Sequence, residues 1–107
     1  MLGFFMLMAA VAPDELPSEK MRAREPVLTI SSEKSASDLQ QCVGLALADI
    51  GRPIATKAGE QRYVTFGSVA KSPVLITIYD GETRRLEART SFVLNKKWRN
   101  RIRFCAS

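Results

Sequence analysis

Apolar positions recur along this 107-residue chain with two different periods. In Ser37–Gly51 (SDLQQCVGLALADIG), Leu39, Cys42, Val43, Ala46, Leu47 and Ile50 fall three and four apart, the spacing of one helix face. Ser37 with Gln40 has the form of a capping box, and Asp38 suits the positive end of a helix dipole. Gly51 suits a left-handed position after the last turn, and Pro53 prevents continuation. A single helix cannot bury such a stripe alone, so it needs a sheet to cover.

The period-two segments supply that sheet. Val27–Ile30 (VLTI) reads as a first strand, and Ser31–Ala36 as the turn into the helix. Pro53–Lys57 (PIATK) suggests a short strand ended by the Ala58-Gly59-Glu60 turn. Gln61–Ser68 alternates, with Val64 and Phe66 on one side and Tyr63 and Thr65 on the other. Val74–Tyr79 (VLITIY) is the strongest strand, because four of its six residues are β-branched and a fifth is aromatic. Asp80-Gly81 then signals a hairpin. In the segment 84–92, Leu86, Ala88, Thr90 and Phe92 face one way, and Arg85, Glu87, Arg89 and Ser91 the other. Pairing parity fixes the face of every side chain. An odd-length loop sets Val74, Ile76 and Ile78 on the face of Leu86 and Ala88, so a three-residue loop using Gly81 is expected, with the helix on that face.

Leu94–Ala106 fits two patterns. As a helix, it lines up Leu94, Trp98, Ile102 and Cys105 on one stripe and turns Lys96, Arg99 and Arg103 away. As a strand, it puts Trp98, Ile102 and Phe104 on one face and Cys105 among the cations. The helical reading is preferred because it aims the cysteine at the core.

At the other end, Met1–Ala12 (MLGFFMLMAAVA) is an unbroken apolar run, too short for a bilayer span of ~20 residues. Its length suits the h-region of a signal peptide, and Ala10-Val11-Ala12 has the A-x-A form of a cleavage site. The pattern is atypical: no basic n-region precedes the run, and Pro13 follows the cut. The plain alternative is a buried N-terminal helix or strand. Residues 13–26 carry three prolines and seven charges of mixed sign and read as a disordered linker. The expected organisation is therefore a leader at 1–12, a linker at 13–26 and one domain at 27–107, with no transmembrane span after removal of the leader.

Composition changes this picture in two ways. Histidine is absent, which removes the commonest general base, metal ligand and neutral-pH switch. Only two cysteines are present, Cys42 and Cys105, with no CxxC spacing. In an exported small domain an even cysteine count invites a bridge, and the tie would hold down the C-terminal segment. Two buried free thiols are the alternative.

The chain carries 16 Lys and Arg against 11 Asp and Glu, a net charge of +5. The densest basic stretch, Asn95–Arg103 (NKKWRNRIR), sets Lys96, Lys97, Arg99, Arg101 and Arg103 around Trp98. With Arg85 and Arg89 from the neighbouring strand, these form a candidate anion-binding face for lipopolysaccharide, acidic lipid or nucleic acid. The plain reading is a solvated helix face with Trp98 in the core. Nucleic acid itself is not expected, since no RNP-like signature, GXXG loop or recognition helix is present. No residues combine into a nucleophile with a base, a phosphate loop or a metal set. No enzymatic activity, metal or cofactor is therefore expected.

TISSEKSASDLQQCV, a strand and turn leading into the cysteine-bearing helix, and the closing WRNRIRFCAS resemble a loose group of small exported Gram-negative proteins. The resemblance spans 27–107 and implies an envelope compartment and a disulfide, with no assigned activity. The expected fold is two-layer α+β, in the order βαβββα. It has a mainly antiparallel sheet, a helix on one face, strand one at an edge and the Cys42–Cys105 staple. The expected role is a periplasmic or secreted accessory or protein-binding module, with an envelope protein or an anionic surface as partner. Alternatives are polyanion binding through the basic C-terminal segment, and an inhibitor-like domain offering Asp80–Thr83 or Gly67–Ser72.

Overall fold

The computed structural model describes residues 16–107, so the leader lies outside the described residues. A short helix α1 (Glu19–Arg22) precedes strand β1 (Leu28–Ser32) and helix α2 (Ala36–Ala46). Strands β2 (Pro53–Ala58), β3 (Gln61–Phe66), β4 (Val74–Tyr79) and β5 (Arg84–Thr90) follow, and helix α3 (Lys96–Ala106) closes the chain. The strands form one antiparallel sheet in the order β1-β5-β4-β3-β2. The architecture is α+β, with strand one at an edge beside the β4–β5 hairpin. The short strand read at Pro53–Lys57 is present and pairs along Pro53–Ala58 with β3, so the sheet has five strands where the order βαβββα counts four.

Alternation assigns the two faces. Val64, Phe66, Val74, Ile76, Ile78, Leu86 and Ala88 share the main core with Leu39 and Val43 of α2, with Leu47 that caps it, and with Leu94, Ile102 and Cys105 around α3. The apolar stripe read on α2 thus faces the sheet, with Cys42, Ala46 and Ile50 half-buried at its margin. Ile76 pairs with Ala88 and Ile78 with Leu86, so the even-to-even parity holds. The register sits two residues from that of a three-residue loop, because Tyr79 pairs with Arg85. Arg84 explains the wider loop. Its guanidinium donates to the carbonyls of Gly81 and Glu82 at 3.3 and 3.2 Å, and to those of Lys34 and Glu33 at 2.7 and 2.6 Å. The turn is closed by that side chain and needs no left-handed Gly81, which is absent from the positive-φ glycines.

Two further expectations are corrected. Helix α2 is capped by Ser35, whose hydroxyl accepts from the Asp38 amide at 3.1 Å, and not by Ser37. Gln40 is instead drawn to the sheet: its amide donates to the Thr56 and Tyr63 carbonyls, each at 3.0 Å. Gly51 takes no positive φ either. A Cβ there would lie 3.3 Å from the Gly67 amide nitrogen and 3.4 Å from the Phe66 carbonyl carbon, so close backbone approach is what requires glycine.

The second face is not bare. Odd positions of the strands place Tyr63 and Leu75 there, and Met21 of α1 is buried against them. Ser18 caps α1 by accepting from the Met21 amide at 3.1 Å. The part of the 13–26 linker that is described is therefore ordered. One methionine among many charges was enough, because it is buried with Tyr63 and Leu75 on that face.

Candidate functional site

Helix α3 decides the layout of the site. Asn95 caps it, its side-chain oxygen accepting from the Trp98 amide at 3.0 Å. From that start, Ile102 and Cys105 fall on the buried face, as the helical reading of Leu94–Ala106 required. At the far end, the Ser32 hydroxyl donates to the Ala106 carbonyl at 2.8 Å and pins the last turn to β1.

Cys42 and Cys105 are disulfide-bonded, with a Cα–Cα distance of 5.7 Å. The bridge is one rung of an antiparallel helix pair. Arg101 of α3 donates to the Ala46 carbonyl at 3.1 Å and to both Asp49 oxygens at 3.3 Å. The Trp98 indole N–H donates to the same carboxylate at 3.3 and 3.4 Å. Partial desolvation pushes the Asp49 carboxyl up. The Trp98 indole, a backbone hydrogen bond and the Arg101 charge outweigh that, and its pKa lies below the ordinary carboxyl value. Trp98 packs half-buried against the core, with Phe92 edge-on at 5.8 Å between ring centroids. It is held by its surroundings and is not an open stacking platform.

The seven candidate cations divide among three settings. Arg85 and Arg89 lie on the opposite side of the sheet from α3, both ion-paired to Glu87 at 3.4 and 2.9 Å. Arg85 also stacks over the Tyr79 ring at 4.2 Å, and Arg89 donates to the Arg24 carbonyl at 2.7 Å. Arg99 and Arg101 serve the fold: Arg99 donates to the Leu94 and Val27 carbonyls at 2.9 and 3.0 Å, and Arg101 bonds to α2 as described. Lys96, Lys97 and Arg103 are exposed. The basic stretch therefore does not present one cationic face.

Beside the bridge the structure shows a feature that pattern reading missed. An open groove of about 690 Å³ runs between α2 and α3, over the half-buried Cys42 and beside Asp49 and Arg101. Its walls carry Leu45, 69% exposed, and Phe104, 76% exposed. Each lies one position off its helix's buried stripe, and that displacement was the available signal. Two large exposed apolar side chains lining one cleft mark an interaction surface more often than scattered exposed residues do.

Among the described residues, no helix is long and apolar enough to cross a membrane, and no group of three or more acidic or cysteine side chains could hold a metal. No family model, curated protein or solved structure matches the chain.

Proposed function

We propose that this chain is an exported, non-enzymatic module that binds another protein through the α2–α3 groove. The observation that carries the reading is that the exposed Leu45 and Phe104 line one open cleft, on two helices locked together by a disulfide. A covalent tie between the walls limits what the surface must lose in freedom on binding, which favours recognition. The disulfide supports an oxidising compartment, the periplasm or the outside of the cell.

A photoreactive residue placed at 45, at 104 or at 60, the last in the exposed β2–β3 turn, tests the reading in the producing cell. Discrete cross-linked products from 45 and 104 but not from 60 are expected. Their absence from both groove positions would overturn it.

Lys96, Lys97 and Arg103 still favour a second reading, polyanion binding by the outer side of α3. On that reading the protein stays on heparin well above physiological salt, and reversing those three charges releases it. Elution at low salt removes it.

A further inference from the structure

We propose that the sheet face opposite α2 and α3 carries a binding site for a small oxyanion, a carboxylate or phosphate group, held over Thr77 between Arg22 and Arg89. The site is separate from the α2–α3 groove and does not depend on the protein-binding reading.

Strand register places it. Thr77 pairs with Tyr63 of β3 on one side and with Glu87 of β5 on the other. Tyr79 lies likewise between Gln61 and Arg85, and Leu75 is paired with Arg89. These odd positions share one face of the sheet. Helix α1 lies over that face, with Met21 buried against Tyr63 and Leu75. The next residue, Arg22, anchors its Nε to the Pro17 carbonyl at 3.0 Å. Between Arg22 and Arg89 a hollow of about 220 Å³ opens, lined also by Thr77, Tyr63, Tyr79 and Gln61.

The polar groups around this hollow are donors that the fold does not use. Thr77 is 3% exposed, yet its hydroxyl has no hydrogen-bond partner among the described residues. An unbonded hydroxyl on so buried a residue is costly, and a ligand in the hollow removes that cost. The Tyr63 hydroxyl donates to Gln61 Oε1 at 2.7 Å, which leaves the Gln61 amide nitrogen as a donor. Arg89 gives Nε to the Arg24 carbonyl at 2.7 Å and Nη2 to Glu87 at 2.9 Å, and keeps Nη1. Among the described residues, both terminal nitrogens of Arg22 are without a partner.

Charge decides what the hollow takes. Glu87 is the carboxylate beside it, and Arg85, Arg89 and the Tyr79 hydroxyl already hold it at 3.4, 2.9 and 3.1 Å. Arg22, Arg85 and Arg89 against Glu87 alone leave an excess of positive charge. Water would satisfy the Thr77 hydroxyl but not that excess, whereas an oxyanion satisfies both. The volume is below that of a drug-sized site, so the ligand is a free ion or the acidic end of a small molecule.

Amide NMR spectra of the oxidised protein, titrated with inorganic phosphate, glycerol phosphate or acetate, test this against sodium chloride at equal ionic strength. The expected result is saturable shifts at Gln61, Tyr63, Thr77 and Tyr79 with at least one oxyanion and none with chloride. Saturation by both phosphates but not acetate assigns a phosphoryl ligand, and saturation by acetate alone a carboxylate. Arg22→Gln and Thr77→Val should each weaken binding, the first at least about tenfold through loss of a charge-assisted contact. The Arg22 side chain is exposed, so that variant keeps the wild-type spectrum in the absence of anion. No saturable shift with any oxyanion, shifts that chloride reproduces, shifts confined to Lys96, Lys97 and Arg103, or an affinity unchanged by Arg22→Gln would overturn the proposal. Each of these results leaves the reading of the α2–α3 groove untouched.

Discussion

Asp49 holds two residues of the facing helix at once, accepting from the Trp98 indole at 3.3 Å and from the Arg101 guanidinium at 3.3 Å. The carboxylate sits where α2 has ended, so it ties the loop after α2 to the first turns of α3. Its pKa lies below the ordinary value of 3.8 when the chain is folded. A group depressed in the folded state contributes stability above its unfolded pKa, and that stability is lost as pH falls through the folded value. The stability gap between wild type and Asp49→Asn should therefore be constant near neutrality and shrink below about pH 4. Trp98 is the single tryptophan, so its fluorescence reports the event directly. An unchanged gap down to the acid transition would show that the contact is not formed in solution.

Removing the bridge tests how much of the fold depends on it. Cys42 and Cys105 are 63 residues apart, and closing a loop of that length stabilises a chain by about 4 kcal/mol in the entropy model, less any strain. Cys42→Ala/Cys105→Ala should lose about 2–4 kcal/mol in urea unfolding, with earlier exchange of the α3 amides than of the β4 amides. The Ser32–Ala106 bond and the burial of Ile102 keep the helix from being held by the bridge alone.

Gly51→Ala should cost about 1–3 kcal/mol, the usual range for overpacking against groups that cannot move aside. The added methyl meets Gly67 and Phe66 backbone, 3.3 and 3.4 Å away, and not the end of a flexible side chain. Thermal unfolding measures it. A neutral result would mean that the Arg52–Gly67 junction, joined by a 2.8 Å backbone hydrogen bond, yields more easily than its geometry suggests.

Met21→Ala should cost about 2 kcal/mol, at the low end for a buried methionine because its cluster is small. Met21 is 6% exposed, against Tyr63 and Leu75. If residues 18–24 were a free linker, the substitution would change nothing.

Most of the fold was legible because its signals are local and repeated. Leu39, Val43 and Leu47 announce a helix face, and Ile76, Ile78, Leu86 and Ala88 fix which side of the hairpin it covers. The cysteine pairing followed from there being only two. What escaped was decided by long side chains acting across the fold. Arg84 set the hairpin register by reaching the Glu33–Lys34 turn, and Gln40 left its expected cap for two strand carbonyls. The cations misled for the same reason. Arg99 and Arg101 look alike in sequence to Lys97 and Arg103, yet backbone carbonyls of other segments take up their donors. Leu45 and Phe104 were passed over because each falls outside the periodic stripe, and a pattern tuned to the core discards such residues.

The export of a stapled domain is tested most directly by the intact mass of the protein recovered from the producing cell, alkylated without reductant. The expected species has lost the leader near Ala12, takes up no alkylating reagent and carries a Cys42–Cys105 linked peptide. A chain that retains the leader and is alkylated at both cysteines would contradict the reading.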